Sequence, residues 1–152
     1  MNNTLFSKES DCWSTPSSLF AELDNEFHFE LDAAALKETA LCKEYYGPDH
    51  EEPSRTDALA NSWAKSTWLN PPYSKCKEFI AKAAKESAKG CTVVCLIPSR
   101  TDTRYWHEHI WDAQKNNWRN GVSGRFIKGR LKFGNSKNSA PFPSVIIVFK
   151  KS

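Results

Sequence analysis

The sequence predicts an α/β fold, a mostly parallel sheet covered by helices with an antiparallel hairpin at its C-terminal edge. Three observations predict it. Strand and helix patterns alternate through the first two thirds of the 152 residues. The apolar runs STWL at 66–69 and CTVVCLI at 91–97 read as buried strands. The last strand patterns, within 122–149, have no helical pattern between them.

Composition narrows the class. Hydrophobic residues make up 39% and charged residues 26%, a globular balance. The length suits one domain over residues 1–152, which needs no disulfide or metal to fold. A formal charge of +3 permits a polyanionic partner without requiring one. The five cysteines, Cys12, Cys42, Cys76, Cys91 and Cys95, form no C-x-x-C pair. They read as reduced thiols of a cytoplasmic protein with no metal site. The N-terminal MNNTLFSKESDCW lacks the apolar stretch of a signal peptide, and the apolar run at 145–149 is too short to span a membrane. The sequence leaves the oligomeric state open.

The elements follow in order. Ser14-Thr15-Pro16 reads as a helix start, a hydroxyl cap before proline. Leu19, Phe20, Leu23 and Phe27 then recur at helical spacing. FHFEL at 27–31 alternates into a short strand ending near Asp32, and a helix is expected from there through Tyr45. GPDHEEPS at 47–54 reads as a surface loop. KEFIAKAAKESAK at 77–89 reads as a helix stopped by Gly90. A Trp-rich stretch from Arg104 to about Trp118 is expected to be helical, with Trp106, Trp111 and Trp118 as core and helix-face residues. The C-terminal strands are expected to be joined by a polar loop at 134–140.

In such a sheet, ligands bind beyond the carboxyl ends of the strands. Asp32, Asn70 and Pro98-Ser99-Arg100 each follow a strand, so they are expected on one face. Asn70-Pro71-Pro72-Tyr73 carries the chemistry. The amino nitrogen of an aromatic base is a weak nucleophile, because its lone pair is delocalised. An Asn carbonyl and a rigidly held Pro carbonyl can draw its hydrogens. The neighbouring Tyr ring can stack on the base. The plainer reading is a Pro-rich turn after a strand.

The chain resembles the phage-type, Dam-like DNA N6-adenine methyltransferases along nearly its whole length. The resemblance rests on an ordered set of segments: WSTP at 13–16, FELDAAA at 29–35, DAL at 57–59 with Trp63, WLNPPYS at 68–74, LIPSRTDT at 96–103, GRLKF at 129–133 and PSVIIVF at 143–149. Asn-Pro-Pro-Tyr alone is shared with methyltransferases of RNA and of glutamine side chains. The resemblance implies a Rossmann-like class I methyltransferase sheet and S-adenosylmethionine as cofactor. It also implies DNA as partner and the cytoplasm of a bacterial host as location. It places Asn70, Pro71, Pro72 and Tyr73 in catalysis. Trp13, Thr15, Pro16, Asp32, Ala34, Asp57 and Asn70 are implied at the cofactor. Tyr73, Ser74, Arg100, Thr101, Asp102 and Arg130 are implied at the substrate, with Arg104 and Lys132 beside them on a basic face.

One departure stands out. Asp32-Ala33-Ala34-Ala35 occupies the place of the usual glycine-rich loop, and Asp32 fits the end of either the first or the second strand of the common sheet. Asp32 and Asp57 also read as helix caps or solvated charges, Gly129 to Phe133 also reads as a plain hairpin turn, and His107 is not needed as a base. With no separate target-recognition domain, base-sequence discrimination is expected from loops around Glu51, Arg104 and Ser136. Alternative readings keep the chemistry on RNA or protein glutamine, or make the chain a catalytically silent nucleic-acid-binding module.

Overall fold

The computed structural model describes residues 12–134 and 138–152. Among these the chain forms α1 (Ser17–Phe27), β1 (Leu31–Asp32), β2 (Glu44–Tyr45), β3 (Ser66–Leu69), α2 (Cys76–Ala88) and β4 (Thr92–Pro98). A small hairpin of β5 (Trp111–Asp112) and β6 (Asn117–Trp118) follows, then β7 (Val122–Phe126) and β8 (Ser144–Phe149). Six strands form one sheet in the order β2-β1-β3-β4-β8-β7. The first four run parallel. β8 is antiparallel to both neighbours, which makes the C-terminal hairpin.

Side-chain alternation sends the two faces of the sheet to different helices. Val94 and Leu96 of β4 and Ile146 and Val148 of β8 meet α1 through Leu19, Phe20, Leu23 and Phe27. Val93, Cys95, Ile97, Val145 and Ile147 meet α2 through Phe79, Ile80 and Ala83. Helices on both faces of a mostly parallel sheet make the fold doubly wound, as the α/β class requires. Ile80 is wholly withdrawn from water, and burying a side chain of that size is worth about 1.5–3 kcal/mol. α2 ends at Gly90, whose φ of 114° suits glycine. The buried Glu86 carboxylate accepts the Trp63 N–H at 2.7 Å and pairs with Lys82 and Lys89. It thereby ties the approach to β3 onto this helix.

Three expected elements differ. The helix expected after Asp32 is absent, because other acceptors take the N–H groups it would have used. Ala34 and Leu41 donate to the Asp32 carboxylate. Ala35 donates to Tyr46 O, Leu36 to Thr39 Oγ1 and Lys37 to the Asp49 carboxylate. The Trp-rich stretch is not one helix either. A π-helical turn, Trp106–Ile110, leads into the β5–β6 hairpin. Asp112 opens its turn by accepting the Gln114 and Lys115 N–H groups, and Asn116 takes φ 50°. Trp111 and Trp118 meet edge to face across the hairpin at 5.2 Å. Finally, Pro16 is the N-cap of α1, with no side-chain cap bond, and the Thr15 hydroxyl is engaged elsewhere.

The strand order locates the crevice. β1 leads to β2 on one side, and the chain then crosses to β3 on the other side of β1. The connections therefore diverge above β1 and β3, the position where doubly wound sheets bind ligands. Asp32 pairs with Trp68, so Asp32 and Asn70 leave neighbouring strand ends.

Candidate active site

Asn70 follows the last residue of β3, where the proline pair ends the strand and proline's missing N–H forbids further pairing. Its side-chain Nδ2 donates to the main-chain carbonyl of Trp13 and to Thr15 Oγ1, the latter at 3.0 Å. Both amide hydrogens are thus used. Among the described residues, nothing donates to the buried Asn70 Oδ1. Pro72 O accepts the Lys75 N–H at 2.9 Å and so belongs to the turn into α2.

Tyr73 opens a short 3-10 turn into α2. Its hydroxyl is buried without a partner, and burial pushes the phenol well above its ordinary pKa. Its ring meets Phe142 edge-on at 5.5 Å. Phe142 also meets Trp13 at 5.4 Å, and Trp13 meets Phe133 at 5.3 Å. Gly134 N–H donates to Ser14 O, so the segment around residues 13–15, next to Asn70, is held against residues 131–134 and Phe142. Cys76 is the buried first residue of α2. Burial pushes its thiol up to about 11, against the lowering effect of the nearby Tyr105 hydroxyl and of the Arg100 charge.

Asp32 ends β1, the first strand of the sheet among the described residues. It is only 3% exposed. Oδ1 accepts the Ala34 N–H at 3.3 Å and Oδ2 the Leu41 N–H at 3.0 Å. Burial raises its pKa to about 7, and the two N–H groups oppose the rise. The carboxylate acts on the crevice through the loop it holds. The close backbone approach expected of a glycine-rich loop occurs one strand over. A Cβ on Gly47 would lie 1.7 Å from Ala35 O. Ala34 itself is half-buried.

Asp57 is exposed and caps the Ala58–Ala60 turn through the Leu59 N–H at 2.9 Å. Arg100, Thr101 and Asp102 are exposed on the loop after β4. Thr101 O contacts His107 Nε2 at 2.8 Å, so His107 braces this loop. Arg104 pairs loosely with Glu108 at 3.6 Å. Ser74, Arg130 and Lys132 are exposed, and Ser136 lies outside the described residues. Glu51 pairs with Lys37 on the surface. Sequence reasoning missed Phe142 and gave Phe133 only as part of the GRLKF run; two aromatic residues flanking a polar loop were the available signal. Among the described residues, no group of three or more His, Cys, Asp or Glu converges, and no helix is long and apolar enough to cross a membrane.

A family model described as DNA N-6-adenine-methyltransferase (Dam) matches residues 2–152. The chain belongs to the Dam family. Among its relatives, a DNA N-6-adenine-methyltransferase of Escherichia phage T1 is 32% identical over 111 residues, 71% of this chain and 44% of that protein. One of Haemophilus phage HP1 (strain HP1c1) is 26% identical over 111 residues, 70% of this chain and 61% of that protein. The chain therefore aligns with about half the length of these Dam relatives. Among solved structures, TrmN from Thermus thermophilus is similar over 80% of this chain and 36% of its own, with a TM-score of 0.39 and 13% identity.

Proposed function

We propose that this protein transfers a methyl group from S-adenosylmethionine to the exocyclic amino nitrogen of adenine in DNA. The observation that carries the reading is the Asn70 amide, with both N–H groups engaged and a buried Oδ1 that accepts from none of the described residues. A buried acceptor without a donor costs about 1–3 kcal/mol, and an amino group offers what it lacks. Asn70 Oδ1 and the Pro71 carbonyl would take the two hydrogens of that group. Fixed before the substrate arrives, they need no reorganisation as positive charge grows on the nitrogen. Tyr73 would stack on the extruded base, and water would take the proton released after transfer.

The residues present fit the cofactor. Thr15 accepts from Asn70 and keeps its own O–H to donate to a carboxylate. Asp57 uses one carboxylate oxygen as a cap and keeps the second for an adenine amino group. Trp13, Pro16, Ala34 and Asn70 complete the set, with Asp32 acting through its loop. When bound, the cofactor supplies an electrophilic methyl group. Arg100, Thr101, Asp102, Ser74, Arg130, Arg104 and Lys132 would meet the DNA, and affinity would then fall steeply with salt as phosphate counterions are released. Residues 1–152 would act as one methyltransferase domain in the cytoplasm of a bacterial host, reading sequence through loops.

The test is labelled methyl transfer to unmethylated duplex DNA, RNA and protein, followed by digestion and product analysis. N6-methyladenine from DNA is expected. Label on cytosine N4 would keep the mechanism and overturn the base. Label on RNA or glutamine would overturn the substrate. Nucleic-acid binding without any transfer would make the chain a silent module.

A further inference from the structure

An amide group has two ends of nearly equal size, one accepting and one donating, and rotation about its last bond exchanges them. A pocket that reads an amino group therefore needs something that forbids the exchanged state. In this protein two groups hold Asn70 Nδ2, and they are not equivalent. Thr15 Oγ1 is a hydroxyl, which accepts from Nδ2 as found and would donate equally well to an oxygen in the same place. Trp13 O is a main-chain carbonyl, which can only accept. Exchange would set Asn70 Oδ1 against this oxygen. The carbonyl is itself held through its own side chain. The Trp13 ring lies 5.3 Å from Phe133 and 5.4 Å from Phe142, and the Gly134 N–H grips the next carbonyl, Ser14 O.

We propose that Trp13 is the specificity-determining positioning residue of the site: its caged ring fixes its own carbonyl against Asn70, so the pocket presents an acceptor and selects a 6-amino over a 6-oxo purine. The inference rests on the proposed function and names how that pocket chooses its substrate. Phe142 gives the device a second role. It touches both the Trp13 ring and the Tyr73 ring, so one side chain aligns the amide that reads the base edge with the ring that stacks on its face.

The experiment uses the full chain and a duplex whose methylated adenine has been mapped. That position carries adenine or hypoxanthine opposite an abasic site, so no pairing energy enters. Competition binding gives the adenine-to-hypoxanthine affinity ratio. The unmodified protein is expected to favour adenine roughly tenfold or more. Trp13→Ala should bring the ratio to about threefold or less, and Trp13→Phe, which keeps a ring in the cage, should hold it within about twofold of the original. Thr15→Val should weaken adenine binding and leave the ratio unchanged, because a hydroxyl does not distinguish the two amide ends. Should Trp13→Ala fail to fold, Phe142→Leu loosens the same cage and should lower the ratio in the same direction. An unchanged ratio in both cage variants overturns the inference, and so does an unmodified protein with no preference. Methylation of the adenine duplex by the unmodified protein separates the outcomes. If it methylates, the proposed function stands whatever the ratio shows; if it neither binds nor methylates, both readings fall.

Discussion

Asn70 and Asp32 leave the ends of neighbouring parallel strands, and the fold treats their oxygens in opposite ways. Both oxygens of Asp32 are filled by backbone N–H groups of the loop that follows it. Asn70 gives away both of its hydrogens, and its buried oxygen accepts from none of the described residues. A satisfied buried group holds structure, whereas an unsatisfied one costs stability and persists where a ligand will complete it. On the proposed function, the difference would separate the residue that builds the crevice from the residue that acts in it, although both were candidates on the same grounds of position.

The largest expected effect is on catalysis. Asn70→Ala should slow single-turnover methylation about a hundredfold or more, the usual cost of losing one preorganised electrostatic partner. Its thermal midpoint should fall only modestly, because the loss of the donor to Trp13 O is partly offset by removal of an unpaired buried acceptor. Near-normal turnover would break the comparison from the catalytic side. Asp32→Ala should show the reverse, a loss of about 2 kcal/mol in urea unfolding as two N–H groups lose their acceptor. Cofactor affinity should weaken with it as the loop loosens, readable by calorimetry. An Asp32→Ala protein as stable as its parent would return that carboxylate to the list of direct cofactor contacts.

A titration sharpens the same point. Burial raises the Asp32 pKa from 3.8 to about 7 in the folded protein. The folded state thus holds this proton more tightly than the unfolded chain. The associated stability is fully present below pH 4 or so and is lost as pH rises through about 7. Relative to Asp32→Asn, the parent should lose stability between those limits. Parallel pH curves for the two proteins would show that the carboxyl does not change its proton affinity on folding. The smallest effect is expected at Tyr73. Its hydroxyl has no partner, so Tyr73→Phe should change stability by less than about 1 kcal/mol. Base capture should survive with the ring, whereas Tyr73→Ala should weaken binding of an extruded adenine by about 1–3 kcal/mol.

The parts legible in the sequence are those governed by local periodicity. Leu19, Phe20, Leu23 and Phe27 announced α1, and the run at 66–69 became β3 without shift. The Asn-Pro-Pro-Tyr turn fell where a strand end was expected. What stayed hidden depends on distant partners. The alanine-rich stretch after Asp32 has good helix formers, yet Asp49 and Tyr46 take its N–H groups, and no local pattern announces that. The Trp-rich stretch reads as a helix, yet Asp112 and Asn116 carry a hairpin turn within it. The Thr15 hydroxyl looked like a helix cap because its true partner lies 55 residues away. Asn70 stands out by motif, but the carbonyl that holds its amide nitrogen lies 57 residues earlier.

Gly47 carries one more consequence. Because a Cβ there would lie 1.7 Å from Ala35 O, the two loops at the outer edge of the sheet interlock at a point with no room for any side chain. A variant library across the crevice would therefore meet a sharp boundary. Ala34, half-buried, leaves room for variation in size, whereas even the smallest change at Gly47 must prise Ala35 away and, through the Ala35–Tyr46 hydrogen bond, unseat the chain leaving β2. An engineer who read the missing glycine-rich loop as a defect and added glycines after Asp32 would loosen the wrong wall; the glycine this edge depends on is already present, facing that loop from the neighbouring strand.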